Sequence, residues 1–223
     1  KEFIKEVTEG LVEPPQYFPY NVLMNLQGGM EGIDDIIARG NRPLTVREFQ
    51  TVWESMEALV LDTRKKEEFV AEHIPGSIFI GLDDNFAPWA GTLIPDLKMP
   101  ILFLADEGRE EEVVIRLSRV GYDNTVGFLK GGMTAWKDAG FETTLINEIS
   151  PDDFATLYEI DRPHVILLDA RRRSEFESEH IVGAVNFPLD FINHNMSQLE
   201  RSKKYFIHCA GGYRSVIMCS ILQ

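Results

Sequence analysis

The stretch His208-Cys209-Ala210-Gly211-Gly212-Tyr213-Arg214-Ser215 holds the residue types most able to do covalent chemistry. It follows the apolar run Tyr205 to His208 and precedes a second one, Val216 to Leu222. That order predicts a strand, a tight loop and a helix. Gly211 and Gly212 permit backbone conformations closed to other residues. Successive N–H groups from Ala210 to Ser215 can then turn inward as an anion-binding nest, with the positive end of the next helix aimed at the same spot. Those fields favour thiolate over thiol at Cys209. Arg214 adds a fixed charge and a forked donor for an anionic substrate. Tyr213 and His208 shape the loop, and His208 reads equally as a packed strand residue or a base. The plainer alternative is a structural cysteine beside a Gly-Gly turn.

The elements that position this loop occur twice. Residues 59–80 read LVLDTRKKEEFVAEHIPGSIFI, and residues 166–187 read ILLDARRRSEFESEHIVGAVNF. Asp62 and Asp169, Arg64 and Arg171, Glu68 and Glu175, Phe69 and Phe176, and His73 and His180 coincide at one offset. Such a spacing is too long for a solenoid and reads as a duplicated domain. In each copy a capped helix leads to a short apolar run, Ala58 to Leu61 or Val165 to Leu168. The caps are Thr45-x-x-Glu48 and Ser150-Pro151. A charged helix follows, with Ser174-x-x-Glu177 as a candidate capping box. A second strand starts at Ser77 or Ala184, and a third is Pro100 to Leu104 or Tyr205 to His208. Strands alternating with helices predict an α/β fold with parallel sheets flanked by helices.

The first copy continues through a helix near Glu111 to Arg119, the strand Thr125 to Leu129, and a helix through Trp136 closed by Gly140. Past the third strand the copies pair at a shorter offset, so Gln223 matches Arg119. Counterparts of about residues 120–146 are missing from the second copy, which therefore reads as C-terminally incomplete. The expected division is a linker at 1–42, one domain at 43–148 and a second at 149–223. The linker holds the proline-rich connector Glu13-Pro14-Pro15-Gln16-Tyr17-Phe18-Pro19, with a short helix before it and another near Met30 to Arg39.

Composition excludes several classes. The 223 residues include 22 basic and 36 acidic side chains, for a net charge of −14. That balance argues against nucleic acid, whose binding rests on Lys and Arg contacts to phosphate. No apolar run reaches the ~18 residues of a membrane span, and the first residues do not read as a signal peptide. Two cysteines give no disulfide framework, so a cytoplasmic location is expected. The histidines show no His-x-His spacing for a metal site. No cofactor is expected within the chain. Cys219 reads as a buried free cysteine, and Trp53, Trp89 and Trp136 as packing residues. Asp190 to Ser197 reads as a loop beside the active loop.

The first copy differs where the chemistry lies. Its loop runs Leu104-Ala105-Asp106-Glu107-Gly108-Arg109-Glu110-Glu111-Glu112. Ala105 stands in place of Cys209 and Glu110 in place of Arg214. There is no nucleophile, and clustered carboxylates disfavour an anion there. Residues 43–148 therefore read as a catalytically silent copy that supports or partly covers the other site.

The Asp-x-Arg…Glu-Phe…Glu-His-Ile-x-Gly-Ala pattern, together with His-Cys-Ala-Gly-Gly-Tyr-Arg-Ser, resembles the rhodanese (thiosulfate:cyanide sulfurtransferase) family. Leu129-Lys-Gly-Gly-Met-Thr-Ala-Trp136-x3-Gly140 is similar to that family's C-terminal element. The resemblance covers about residues 43–223. It implies a parallel-sheet α/β fold, a persulfide carried on Cys209, and Asp169 and Arg171 as structural support. It also implies small sulfur donors with thiol, sulfite or cyanide acceptors as partners. The connector Glu13-Pro-Pro-x-Tyr-Phe-Pro-x-Asn21…Met24-Asn25 is similar to the segment after the metallo-β-lactamase-fold domain in rhodanese fusions of the persulfide dioxygenase kind. That likeness implies an upstream metal domain, and only such a domain would bring in a metal ion. Two rivals stay open: a sulfur-carrier or interaction module without catalysis, and a phosphatase or arsenate reductase using a Cys-Arg loop. The loop from Cys209 to Arg214 is one residue shorter than the tyrosine-phosphatase type, which favours a single sulfur over a tetrahedral phosphate. A homo-oligomer is left open.

Overall fold

A computed structural model describes residues 18, 22, 32–161 and 165–223. The proline-rich connector and the short helix before it lie outside the described residues, apart from Phe18, and so does His164. In the first half the chain forms α1 (Ile33–Gly40), β1 (Pro43–Leu44), α2 (Val46–Met56), β2 (Leu59–Asp62), α3 (Lys66–Ala71) and β3 (Ile78–Phe79). It continues through α4 (Phe86–Leu93), β4 (Ile101–Leu104), α5 (Glu110–Ser118), β5 (Thr125–Leu129) and α6 (Gly132–Asp138). The second half forms α7 (Pro151–Asp161), β6 (Ile166–Asp169), α8 (Arg173–Ser178), β7 (Val185–Asn186), α9 (Ile192–Asn195), β8 (Tyr205–His208) and α10 (Tyr213–Leu222).

Two parallel sheets result, ordered β1-β5-β4-β2-β3 and β7-β6-β8. Strand β4 is buried at every position because helices cover both faces of the first sheet. The registers repeat: Asp62 pairs with Leu104, and Asp169 pairs with His208. The expected α/β architecture with two parallel sheets is what forms. Local signals explain several ends. The Thr45 N–H donates to Glu48 Oε2 at 2.8 Å and the Glu48 N–H donates to Thr45 Oγ1 at 3.4 Å, so the capping box opens α2. The Asp153 N–H donates to the Ser150 hydroxyl at 3.1 Å at the start of α7.

Three expectations are corrected. Ser174 and Glu177 do not form a capping box. Helix α8 starts at Arg173, and its opening contact is the Arg172 N–H donating to Glu175 Oε2 at 3.1 Å. Asp190 to Ser197 is not a loop but a run of helical turns, 189–198. Leu189 and Ile192, three positions apart, are both buried and anchor it. Helix α10 begins at Tyr213, not Val216, so the end of the reactive stretch is the helix's first turn. Helix α4 was not foreseen in the sequence. Its Pro88 sits in the first turn, where no N–H is needed, and Phe86, Ala90 and Leu93 bury one side. Among the described residues no helix is long and apolar enough to cross a membrane.

One hydrophobic core joins the two halves. Phe69, Phe79 and Phe103 share it with Leu168, Val216, Ile217 and Met218. Helix α10 lies against the edge strand β3. The Phe79 N–H donates to the Ser220 hydroxyl at 3.0 Å, and both residues are buried. The rings of Phe79 and Tyr213 meet edge to face at 5.6 Å. The Asn193 amide donates to the Thr92 and Leu93 carbonyls at 3.2 and 3.1 Å. The edge N–H of β3 is thus satisfied by a side chain of the other half. Ser220→Ala would leave it buried and unpaired, and urea unfolding is expected to show a loss of about 1–3 kcal/mol.

Candidate active site

Cys209 follows β8 directly, and α10 starts four residues later. Gly212 caps the helix at φ 82°, a left-handed conformation that glycine adopts without strain. Gly211 is not in that region, so one glycine, not both, makes the turn. The Cys209 sulfur is part-buried and lies 3.6 Å from the Ser215 hydroxyl. Burial alone would raise its pKa. The Ser215 hydroxyl and the N–H groups of Ser215, Gly211 and Gly212 outweigh that, and the thiol sits below its ordinary value. While Cys209 is a thiol it donates to the Ser215 oxygen, whose own proton goes to the Gly212 carbonyl at 2.9 Å; on ionisation that hydroxyl can turn to donate to the sulfur. Cys219 behaves in the opposite way: burial pushes its thiol up to about 11.

Arg214 is placed differently from the sequence expectation. Its fork donates to both oxygens of Glu175, at 2.6 and 2.9 Å. This charge-assisted pair is bidentate, so Arg214 ties α10 to α8 instead of standing free to grip a donor. The same pairing holds the Glu175 carboxyl down to about 2.

The repeated Asp and Arg support the site from below. Asp169 is fully buried at the end of β6. Arg171 Nε and Nη2 donate to it at 2.9–3.0 and 2.6 Å, and Nη2 also reaches the Glu179 carbonyl at 2.7 Å. Arg64 makes the same bonds to Asp62 and to the Glu72 carbonyl. His180 stacks on Phe176 at 3.9 Å and His73 on Phe69 at 3.8 Å. These motif residues hold the strand–helix–strand unit. His208 Nε2 lies 3.5 Å from Asp169 without a hydrogen-bond partner. Burial lowers its pKa more than Asp169 raises it.

The first copy keeps the left-handed glycine of this loop, but α5 starts at Glu110, one aligned position later than α10. Gly108, the counterpart of Gly212, has φ 84°, and Ala105 occupies the place of Cys209 after the register-matched Leu104. Arg109 there is closed down on Asp83 at 2.6 Å and Glu112 at 2.9 Å.

Sequence reasoning named none of the first-half residues that border the second loop. A crevice of about 340 Å³ is lined by Arg64, Lys65, Lys66 and the carboxylates Glu67, Asp83 and Asp84 from the first half, and by Gly211 and Tyr213 from the second. Lys66 Nζ lies 3.3 Å from where a Cβ on Gly212 would sit. The Tyr213 hydroxyl donates to the Gly81 carbonyl at 3.3 Å. Nothing in the repeat signals this, because the contact joins non-equivalent surfaces of the two copies.

A family model described as Rhodanese-like domain matches residues 45–139 and 150–223. No curated protein matches the chain. Among solved structures, the thiosulfate sulfurtransferase of Pseudomonas aeruginosa is 22% identical over 85% of this chain and 42% of its own, with a TM-score of 0.36. The chain thus spans less than half the length of that protein. The 3-mercaptopyruvate sulfurtransferase of Leishmania major is 20% identical over 82% of this chain and 69% of its own, at a TM-score of 0.37. A rhodanese-like domain of the Anabaena protein Alr3790 is 24% identical over 51% of this chain and 88% of its own, at 0.41.

The Glu175–Arg214 pair gives a pH signature. A carboxyl lowered from 4.5 to about 2 on folding contributes stability that is full above the unfolded value and is lost as pH falls through the folded one. Glu175→Gln is therefore expected to unfold more easily than the parent at pH 7. The gap in urea midpoint should close between about pH 4.5 and about 2.

Proposed function

This chain belongs to the rhodanese-like domain family, and we propose that it is a sulfurtransferase working through a persulfide on Cys209. The observation that carries this reading is the Cys209 sulfur set against the N–H groups of Gly211, Gly212 and Ser215, which keep it below the ordinary thiol value. A depressed pKa at a partly exposed cysteine is what nucleophilic attack requires.

The chemistry balances without a cofactor. The Cys209 thiolate attacks the outer sulfur of thiosulfate or of a low-molecular-weight persulfide. A new S–S bond forms, the donor's own S–S bond breaks, and its electron pair leaves with sulfite or with the donor thiolate. The Cys209 persulfide anion then faces the same N–H groups. A thiol, sulfite or cyanide acceptor attacks the outer sulfur, and Cys209 leaves as thiolate. Arg214 serves as a positioning residue that holds the first turn of α10 through Glu175. Lys66, beside Gly212 and 3.5 Å from Glu67, is a cation placed to draw an anionic donor to the loop. The family supports sulfur transfer at this coarse level, and the donor and acceptor classes are those that the family resemblance implies. A metal domain upstream, of the kind the connector resembles, would make this site a supplier or consumer of persulfide sulfur for it.

Intact-mass measurement after incubation with a persulfide donor tests the reading. The parent is expected to gain one sulfur atom that cyanide or sulfite removes, and Cys209→Ser is expected to gain none. A folded parent that never gains sulfur would leave the non-catalytic interaction module as the better reading. Lys66→Glu is expected to slow loading by thiosulfate by roughly tenfold, about 1.4 kcal/mol of barrier, while loading by an uncharged persulfide donor changes little.

A further inference from the structure

We propose that a cleft on the first half, formed by α2, α6 and the turns after α3 and α6, binds a small organic cation of the quaternary-ammonium class. The cleft is open to solvent and holds about 510 Å³. That is within the range of small-molecule sites and leaves room for a substituent beyond the cationic head. None of its lining residues belongs to the Cys209 loop.

Its walls are aromatic. Trp53, Trp136 and Phe141 line it together. Trp136 is held from several sides: its ring lies 6.4 Å from Trp53 and 4.7 Å from Phe141, and its Nε1–H donates to the Glu142 carbonyl at 2.8 Å. Trp136 is only 4% exposed and backs the wall, so the faces open to a cation are those of the half-buried Trp53 and Phe141.

Its rim is acidic and uncompensated. Glu54, Glu57 and Glu142 line the cleft with no basic residue among the lining groups. Among the described residues, none of the three carboxylates has a side-chain hydrogen bond or an ion pair. Glu54 and Glu57 also sit at the negative end of α2, whose last turn carries no basic residue. Negative charge there is unfavourable for the helix. Glu57 is moreover the non-glycine residue with positive φ among the described residues, at φ 49° and ψ 40°. A helix end of this shape ordinarily takes glycine. Two departures from the stable choice thus converge on the mouth of one cavity, as expected where binding rather than folding sets the residue.

The occupant follows from the chemistry of the walls. Among the described residues no group of three or more His, Cys, Asp or Glu could hold a metal ion. Hard cations need several converging oxygens, whereas a weakly hydrated alkylammonium packs its methyl groups on aromatic faces and needs carboxylates only nearby.

Calorimetry and tryptophan fluorescence on the full chain, titrated with choline and with its neutral tert-butyl isostere, test the proposal. Choline is expected to bind saturably, and the neutral isostere at least about tenfold more weakly. Glu57→Gly is expected to raise the unfolding midpoint, because it relieves the left-handed residue, yet to weaken choline binding several-fold. Trp53→Leu, with its fold checked by circular dichroism, is expected to lose about tenfold. Equal binding of choline and isostere would mean a plain apolar cleft and overturn the proposal. So would no binding of either, or unchanged affinity in Glu57→Gly. Capture of an arginine-rich peptide without any choline binding would overturn it in favour of a basic protein partner. Persulfide loading of Cys209 is expected to proceed alike in all these variants, so failure here is separate from failure of the sulfur-transfer reading.

Discussion

A sulfur atom that has lost part of its water can stay anionic only where fixed donors replace that water. In this chain the donors are the Ser215 hydroxyl and the N–H groups of Gly211, Gly212 and Ser215. They converge because a strand ends at His208 and a helix begins at Tyr213 with one left-handed glycine between. The rest of the second half maintains that junction. The buried Asp169–Arg171 pair fixes the end of the neighbouring strand, and the Arg214–Glu175 fork fixes the first turn of the helix. The first half completes the support through Phe79, Gly81 and Lys66. A domain without a thiol in its own loop is thus part of the other loop's structure.

The duplication separates scaffold from chemistry. Both copies keep the buried Asp–Arg pair, the stacked Phe–His pair and the left-handed glycine. They diverge through the loop itself, with Ala105 for Cys209, Arg109 for Tyr213, Glu110 for Arg214 and Glu111 for Ser215 among the changes. In the first loop the remaining cation, Arg109, is closed on two carboxylates. The two loops therefore differ in charge: N–H groups face a thiol in one, and an arginine is neutralised by carboxylates in the other. The acidic aromatic cleft beside α2 lies wholly in the first copy, which indicates that this half carries a role beyond supporting its twin.

Much of this was legible in the sequence. The repeat of Asp62 and Asp169 with their arginines marked the duplicated unit, and apolar runs bounded by caps placed most strands within a residue or two. The Cys-x-x-x-x-Arg spacing at a strand–helix junction marked the loop. Other features depended on tertiary context. The bidentate bond of Arg214 to Glu175 could not be read because the two lie 39 residues apart and the repeat marks Glu175 only as the counterpart of Glu68. The helical turns over 189–198 rest on two buried anchors, Leu189 and Ile192, in an otherwise polar stretch. Helix α4 was hidden by Pro88. The approach of Lys66 to Gly212 arises from docking between unlike surfaces, for which the period of the repeat carries no information.

The most direct test of the anion seat is the titration of Cys209 itself, followed by its thiolate absorbance against a Cys209→Ser blank. The apparent pKa is expected below the ordinary thiol value of about 8.5 and should rise in Ser215→Ala. The thiol introduced by Ala105→Cys in the Cys209→Ser background should titrate at or above that value, since carboxylates crowd its loop. A Cys209 that titrates at or above the ordinary value, or that ignores the loss of the Ser215 hydroxyl, would contradict a sulfur site built from these donors.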